Sequence, residues 1–162
     1  MLGMLKTLFI PLLAKAARNG AIALFALAAV CMAQNQPSLA SLVHVEIGGL
    51  HNDKGQVMCA LFSSAAGFPK DYSKAIARTK SEISGGHAVC EFSGISAGTY
   101  AVAVFHDENS NGILETKLMG IPREGVGTSN NAKGHFGPPK FEAAAFRFSG
   151  GRMEIKIQIT YL

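Results

Sequence analysis

The clearest signal in the chain is a two-residue alternation of apolar and polar side chains. Met153, Ile155, Ile157, Ile159 and Tyr161 alternate with Glu154, Lys156, Gln158 and Thr160. Val43, Val45 and Ile47 do the same with His44 and Glu46, and Ala88, Cys90 and Phe92 recur on one side of a third stretch. Successive strand side chains point to opposite faces, so each stretch predicts a half-buried strand. Gln56 to Phe62 differs. It sets Val57, Cys59 and Leu61 against Met58, Ala60 and Phe62, which predicts a central strand covered on both faces. Tyr100 to Phe105 is a further strongly β-prone run.

Turn-forming residues separate these runs at Gly48-Gly49, Asn52-Asp53-Lys54-Gly55, Gly85-Gly86 and Ser96-Ala97-Gly98-Thr99. Ser63 to Gly86 carries no single pattern. Gly67-Phe68-Pro69 breaks it, and Asp71 or Ser73 could cap a short helical turn over Lys74 to Ala77, or the segment could hold an irregular edge strand. Pro138-Pro139 forbids regular structure, and aromatics follow at Phe141, Phe146 and Phe148. Outside the N-terminal region there is no helical period, no repeat and no second domain. The expectation is an all-β chain: one antiparallel β-sandwich over residues 41–162, with a long irregular loop after the Tyr100–Phe105 strand.

The first 33 residues read as a secretory signal peptide. Lys6, Lys15 and Arg18 precede the apolar run Ala21 to Met32, and Cys31-Met32-Ala33 offers a small-residue cleavage site after Ala33. The run is short for a membrane anchor, which needs roughly twenty apolar residues. Acylation of Cys31 is the other alternative, and the preceding Val30 is larger than lipoprotein processing favours. Cleavage takes away three of the fifteen basic residues and none of the eleven acidic ones, so the formal charge falls from +4 to +1. The basic balance therefore belongs largely to the leader and points to no nucleic-acid partner. Residues 34–40 read as a disordered mature N-terminus, and no membrane span is expected after cleavage. Cys59 and Cys90 remain, and an exported chain with two cysteines can bridge them. Two separately buried thiols are the alternative.

Polar chemistry is concentrated after the Tyr100–Phe105 run. Asp107, Asn109 and Asn111, followed by Gly112, stand at the first, third, fifth and sixth positions of a calcium loop. Alternate oxygens converge on one point there, while glycine permits the sharp turn between them. Ile113 would contribute its main-chain carbonyl, Glu115 stands at the ninth position, and Glu124 could reach in from the next segment. The twelfth position is Leu118, so the bidentate carboxylate of a helix-flanked loop is missing. Weak Ca²⁺ binding or a metal-free Asx turn are the two readings of this spacing. A hydrolase could also be drawn from His106, Asp107 and Glu124, with Ser110 or Ser129 near in sequence. Adjacent strand residues face apart, however, and no nucleophile elbow is present. His44 and His135 lack the spacing of a transition-metal site. Gly125, Gly127, Asn130 and Asn131 suggest close backbone approach or left-handed backbone.

Three strings carry a family resemblance: Phe92 to Gly112, which includes GTYAVAVFHDENSNG; Gly120 to Ala132, GIPREGVGTSNNA; and Pro139 to Phe146. Together they resemble the bacterial DUF2141 family of uncharacterised exported proteins over essentially the whole mature domain. Glu115 stands where that pattern has Asp, which conserves the charge, and Thr128 replaces an aromatic. The strand-and-turn pairing is also similar to transthyretin-like sandwich modules, which are mostly binding or structural appendages. The family resemblance itself implies little about activity, since the family is named for lacking a known function, and the sandwich likeness is one of fold alone. The expectation for the whole chain is a non-enzymatic, immunoglobulin- or transthyretin-like binding or structural module whose partner is an unidentified protein or small-molecule ligand in the cell envelope.

Overall fold

The computed structural model describes residues 41–162. The expected signal peptide, 1–33, and the expected disordered N-terminus, 34–40, lie outside the described residues. The described residues form the strands β1 Leu42–Gly48, β2 Gln56–Phe62, β3 Ala77–Ser81, β4 Ala88–Ser93, β5 Gly98–Asp107, β6 Val126–Thr128, β7 Phe146–Phe148 and β8 Arg152–Gln158, of which β1, β2, β4, β5 and β8 fall on the patterned stretches. One helical turn, α1 Phe141–Ala144, precedes β7. No helix among the described residues is long and apolar enough to cross a membrane.

The strands form two sheets. One has the order β4-β1-β8; the other has the order β3-β2-β5-β6, with β7 pairing the start of β5. The inward faces meet in a core containing Val43, Val45, Ile47, Val57, Cys59, Leu61, Val102, Val104 and Ile157. Burying each such aliphatic side chain stabilises the fold by about 1.5–3 kcal/mol relative to exposure. This is the expected all-β sandwich, with one difference in detail. The β1–β8 pair is parallel, whereas every other strand pair is antiparallel. The cause is a change of sheet. β7 belongs to the β5 sheet, the Gly150-Gly151 turn follows it, and β8 enters the other sheet alongside β1.

The segment without a sequence pattern covers the outer face of the second sheet. Asp71 accepts a hydrogen bond from Ser73 N–H and starts a short 3-10 turn over Tyr72–Lys74. The turn thus lies earlier than the expected Lys74 to Ala77, and the edge strand β3 follows at Ala77. Phe68, Tyr72, Ala75 and Phe141 pack over Ala60, Phe62 and Ala103. The rings meet edge to face, Phe62 to Phe68 at 5.4 Å and Phe68 to Phe141 at 5.8 Å between centroids. This burial explains why β2 is apolar on both faces.

Cys59 on β2 and Cys90 on β4 form a disulfide with Cα atoms 6.5 Å apart. It ties the two sheets together across the core.

Candidate functional site

β5 runs two residues further than its apolar run, because His106 and Asp107 continue the antiparallel register opposite Val57 and Gln56. Adjacent positions on a strand face apart, and these two do. His106 is fully buried, with Nδ1 2.7 Å from the Tyr161 hydroxyl and Nε2 2.7 Å from the Lys54 carbonyl. A carbonyl only accepts, so Nε2 carries the proton and donates to Lys54, while Nδ1 accepts from Tyr161 in the neutral ring. Tyr161 is held in turn by the His51 main-chain N–H and by stacking on the His51 ring, centroids 3.4 Å apart.

Asp107 faces the loop. Its Oδ1 accepts from Asn111 N–H at 3.0 Å, and its Oδ2 accepts from Gly112 N–H at 2.8 Å and Gln56 Nε2 at 2.9 Å. The next two ligand candidates repeat the motif. Asn109 Oδ1 accepts from Asn111 N–H at 3.1 Å, and Asn111 Oδ1 accepts from Ile113 N–H at 2.7 Å. Successive Asx turns thus aim three side-chain oxygens inward, and the chain bends through positive φ at Ser110 (57°) and Gly112 (74°) to allow it. Glu115 Oε1 accepts from the side-chain amides of Asn109 and Asn111, both at 3.3 Å. The Ile113 side chain is exposed, which leaves only its main chain for the loop.

Glu124 lies behind this loop. It is 6 % exposed, and its two oxygens accept from Glu108 N–H at 3.3 Å and Glu115 N–H at 3.2 Å. Burial pushes its carboxyl above the ordinary carboxylate range. The charges of Asp107 and Glu115 push the same way, against the two main-chain donors. The structure therefore brings Asp107, Asn109, Asn111, Glu115 and Glu124 to one loop. Among the described residues no three His, Cys, Asp or Glu side chains are grouped as a metal centre. The donor set is a carboxylate-and-amide set of the hard-oxygen kind that suits Ca²⁺.

The neighbouring segment packs against β5, β8 and α1. Gly125 and Gly127 are needed for close approach, since an added Cβ would lie 2.4 Å from Ile159 Cγ2 and 2.6 Å from Ile157 Cγ2 respectively. Asn130 and Asn131 instead take left-handed backbone, φ 58° and 49°. Asn130 donates to the Ala143 and Ala145 carbonyls, and Asn131 Oδ1 accepts from Gln158 N–H. Ser129 is fully buried; its hydroxyl donates to the Ala144 carbonyl at 2.6 Å and accepts from Val102 N–H at 3.0 Å. Its oxygen is a strut between β5 and α1.

Sequence reasoning did not single out Gln56, Lys54 or Tyr161, the partners that fix Asp107 and His106. Gln56 gave a faint signal, as the one polar residue opening an otherwise apolar strand.

No curated protein and no solved structure matches the chain. A family model described as "Uncharacterized protein conserved in bacteria (DUF2141)" matches residues 45–156, from within β1 to within β8 and through the whole Asp107 loop. The chain belongs to the DUF2141 family.

Proposed function

We propose that the chain is an exported, non-enzymatic β-sandwich module of the cell envelope whose Asp107–Glu115 loop binds Ca²⁺ weakly. The observation that carries this reading is the preorganisation of the loop. Three main-chain N–H groups, through four hydrogen bonds, already turn the oxygens of Asp107, Asn109 and Asn111 inward, and Glu115 is held beside them by the side-chain amides of Asn109 and Asn111. Asp107 Oδ1, Asn109 Oδ1 and Asn111 Oδ1 each accept one hydrogen bond and keep a lone pair for a cation, with Glu115 Oε2, the Ile113 carbonyl and Glu124 as further ligands. Two or three formal charges serve the site, so Kd should fall at about 10⁻⁴–10⁻³ M, the range of extracellular modules. Export is supported by the leader-like N-terminus and by a core disulfide, which persists in oxidising compartments. The partner of the module is a protein or small molecule of the envelope. The alternative, a periplasmic hydrolase using His106, Asp107 and Glu124, would require His106 to leave both of its partners, and no observation favours it.

Thermal unfolding with and without Ca²⁺ tests this. At ten times Kd the ion should add about 1.4 kcal/mol, from RT ln(1 + [L]/Kd). The gain should depend on pH in a definite direction. The folded-state pKa of Glu124 is raised above its ordinary 4.5, so the metal-free fold holds that proton more tightly than the unfolded chain. Its stability from this group is therefore greatest below 4.5 and is lost as pH rises through the folded-state pKa. Ca²⁺ competes with the proton, so its stabilisation should be full above the folded-state pKa and fade as pH falls through it. Unfolding midpoints measured in paired samples across that range check both signs. A Ca²⁺ increment that grows on acidification would contradict the assignment of Glu124 to the site.

A further inference from the structure

Between Glu115 and Arg123 the chain forms a narrow hairpin that projects from the loop. Arg123 N–H donates to the Glu115 carbonyl at 2.9 Å, Thr116 bridges Pro122, and Lys117 N–H donates to the Ile121 carbonyl at 2.7 Å. Glu124 anchors the base through Glu115 N–H. The tip is apolar and in the open. Leu118 is 91 % exposed, Met119 97 % and Ile121 44 %. Met119 and Gly120 turn it through positive φ, 66° and 73°. Isolated exposed apolar residues need no explanation, but three within four positions on one protruding turn do.

Cations flank the tip, while the carboxylates of Glu115 and Glu124 lie at the base of the hairpin. Arg123 and Lys117 flank it in sequence, and Lys70 reaches it from the covering segment, with Nζ 3.9 Å from where a Gly120 Cβ would stand. No ion pair among the described residues involves Lys70 or Arg123. Lys117 Nζ donates to the Leu162 carbonyl. An exposed apolar tip flanked by cations matches a lipid–water interface. Leucine and methionine enter the acyl boundary there, and lysine and arginine remain at the level of the phosphates. It is a poor match to a flat protein interface, whose core is broad and depleted of charge.

We propose that this hairpin docks the domain on an anionic lipid surface, with Leu118, Met119 and Ile121 inserted and Lys70, Lys117 and Arg123 on the headgroups. Each cation near such a surface contributes about 1 kcal/mol, close to fivefold in affinity. This inference does not rest on the Ca²⁺ reading, because Glu124 and main-chain bonds already hold the hairpin.

The chain contains no tryptophan, which gives a local probe. Full-length protein carrying Met119→Trp is mixed, in EDTA, with phosphatidylcholine vesicles or with vesicles containing phosphatidylglycerol. The indole emission should shift to the blue and be quenched by brominated acyl chains only with the anionic vesicles. Adding Lys70→Gln and Arg123→Gln should weaken the partition read by that shift about 20- to 30-fold, two factors of about five. Binding through any other part of the chain leaves this readout unmoved. An indole that stays water-exposed on anionic vesicles, or shifts equally on neutral ones, overturns the proposal. An indole that shifts only when a protein partner is added assigns the tip to a protein interface and overturns it as well.

Discussion

Gly55→Ala should cost about 3–5 kcal/mol, a large part of the 5–15 kcal/mol that holds an ordinary domain folded. Gly55 has φ 70°, and a Cβ there would stand 2.0 Å from the Asp107 carbonyl oxygen and 2.7 Å from the Glu108 main chain. Left-handed backbone alone costs a non-glycine residue about 1–2 kcal/mol. The remainder is overpacking of main chain against main chain, where no flexible side-chain end can move aside. Gly94 supplies the comparison. Its φ is 72°, but nothing lies within 4 Å of its Cβ direction, so Gly94→Ala should lose only the backbone part. Denaturant unfolding of the two variants side by side measures the contact between the β1–β2 turn and the Asp107 loop. Equal losses would mean that the turn does not press against the loop.

The second large effect is expected from the disulfide. Cys59 and Cys90 close 31 residues of chain, and on the chain-entropy model opening such a loop costs about 3–4 kcal/mol. Cys59→Ala with Cys90→Ala should lower stability by that amount in the equilibrium unfolding free energy. Both sulfur atoms sit in the core, with Cys59 0 % and Cys90 1 % exposed, so alanine leaves small apolar gaps and introduces no buried polar group. Unchanged stability on reduction would show that packing between the sheets alone determines the fold.

The strands that could be read from the sequence are those with one wet face and one dry face, or two dry ones. β1, β2, β4 and β8 fall in this group because alternation reports burial directly. β3 could not be read. Its ARTKS sequence lies along an edge where half-buried Ala77, Thr79 and Ser81 alternate with exposed Arg78 and Lys80, and without a large apolar residue that alternation leaves no hydrophobic pattern. β6 is three residues with glycine in the middle, chosen for close approach to Ile157 rather than for β propensity. The end of β5 was hidden by chemistry: His106 and Asp107 look like loop residues, yet their main chain continues the ladder with β2. The parallel β1–β8 pair joins the two ends of the domain, and no local pattern encodes such a contact.

The candidate site was legible for a different reason. Asp107, Asn109, Asn111 and Gly112 are bound to one another through main-chain N–H groups two to five residues apart, so spacing alone specifies the turn. Its supports are non-local. Gln56, Lys54 and Tyr161 come from strands and turns about fifty residues away in either direction, and only the fold brings them in. Ser129 illustrates the same limit. It stands in a motif that could supply a nucleophile, and its buried hydroxyl instead joins β5 to α1.

The central claim is that oxygens turned inward by the backbone hold a cation, and isothermal calorimetry of the full chain with millimolar Ca²⁺ tests it most directly. The informative variant is Asn109→Asp. Asn109 is exposed at the third loop position, so the change adds a carboxylate without disturbing the buried Asp107 anchor. Affinity in such loops is set by ligand charge count and rigidity. Wild type should bind with Kd at about 10⁻⁴–10⁻³ M, and Asn109→Asp should bind more tightly, by about tenfold. No heat from either protein would contradict the account and leave the Asp107 loop as a turn that serves the fold alone.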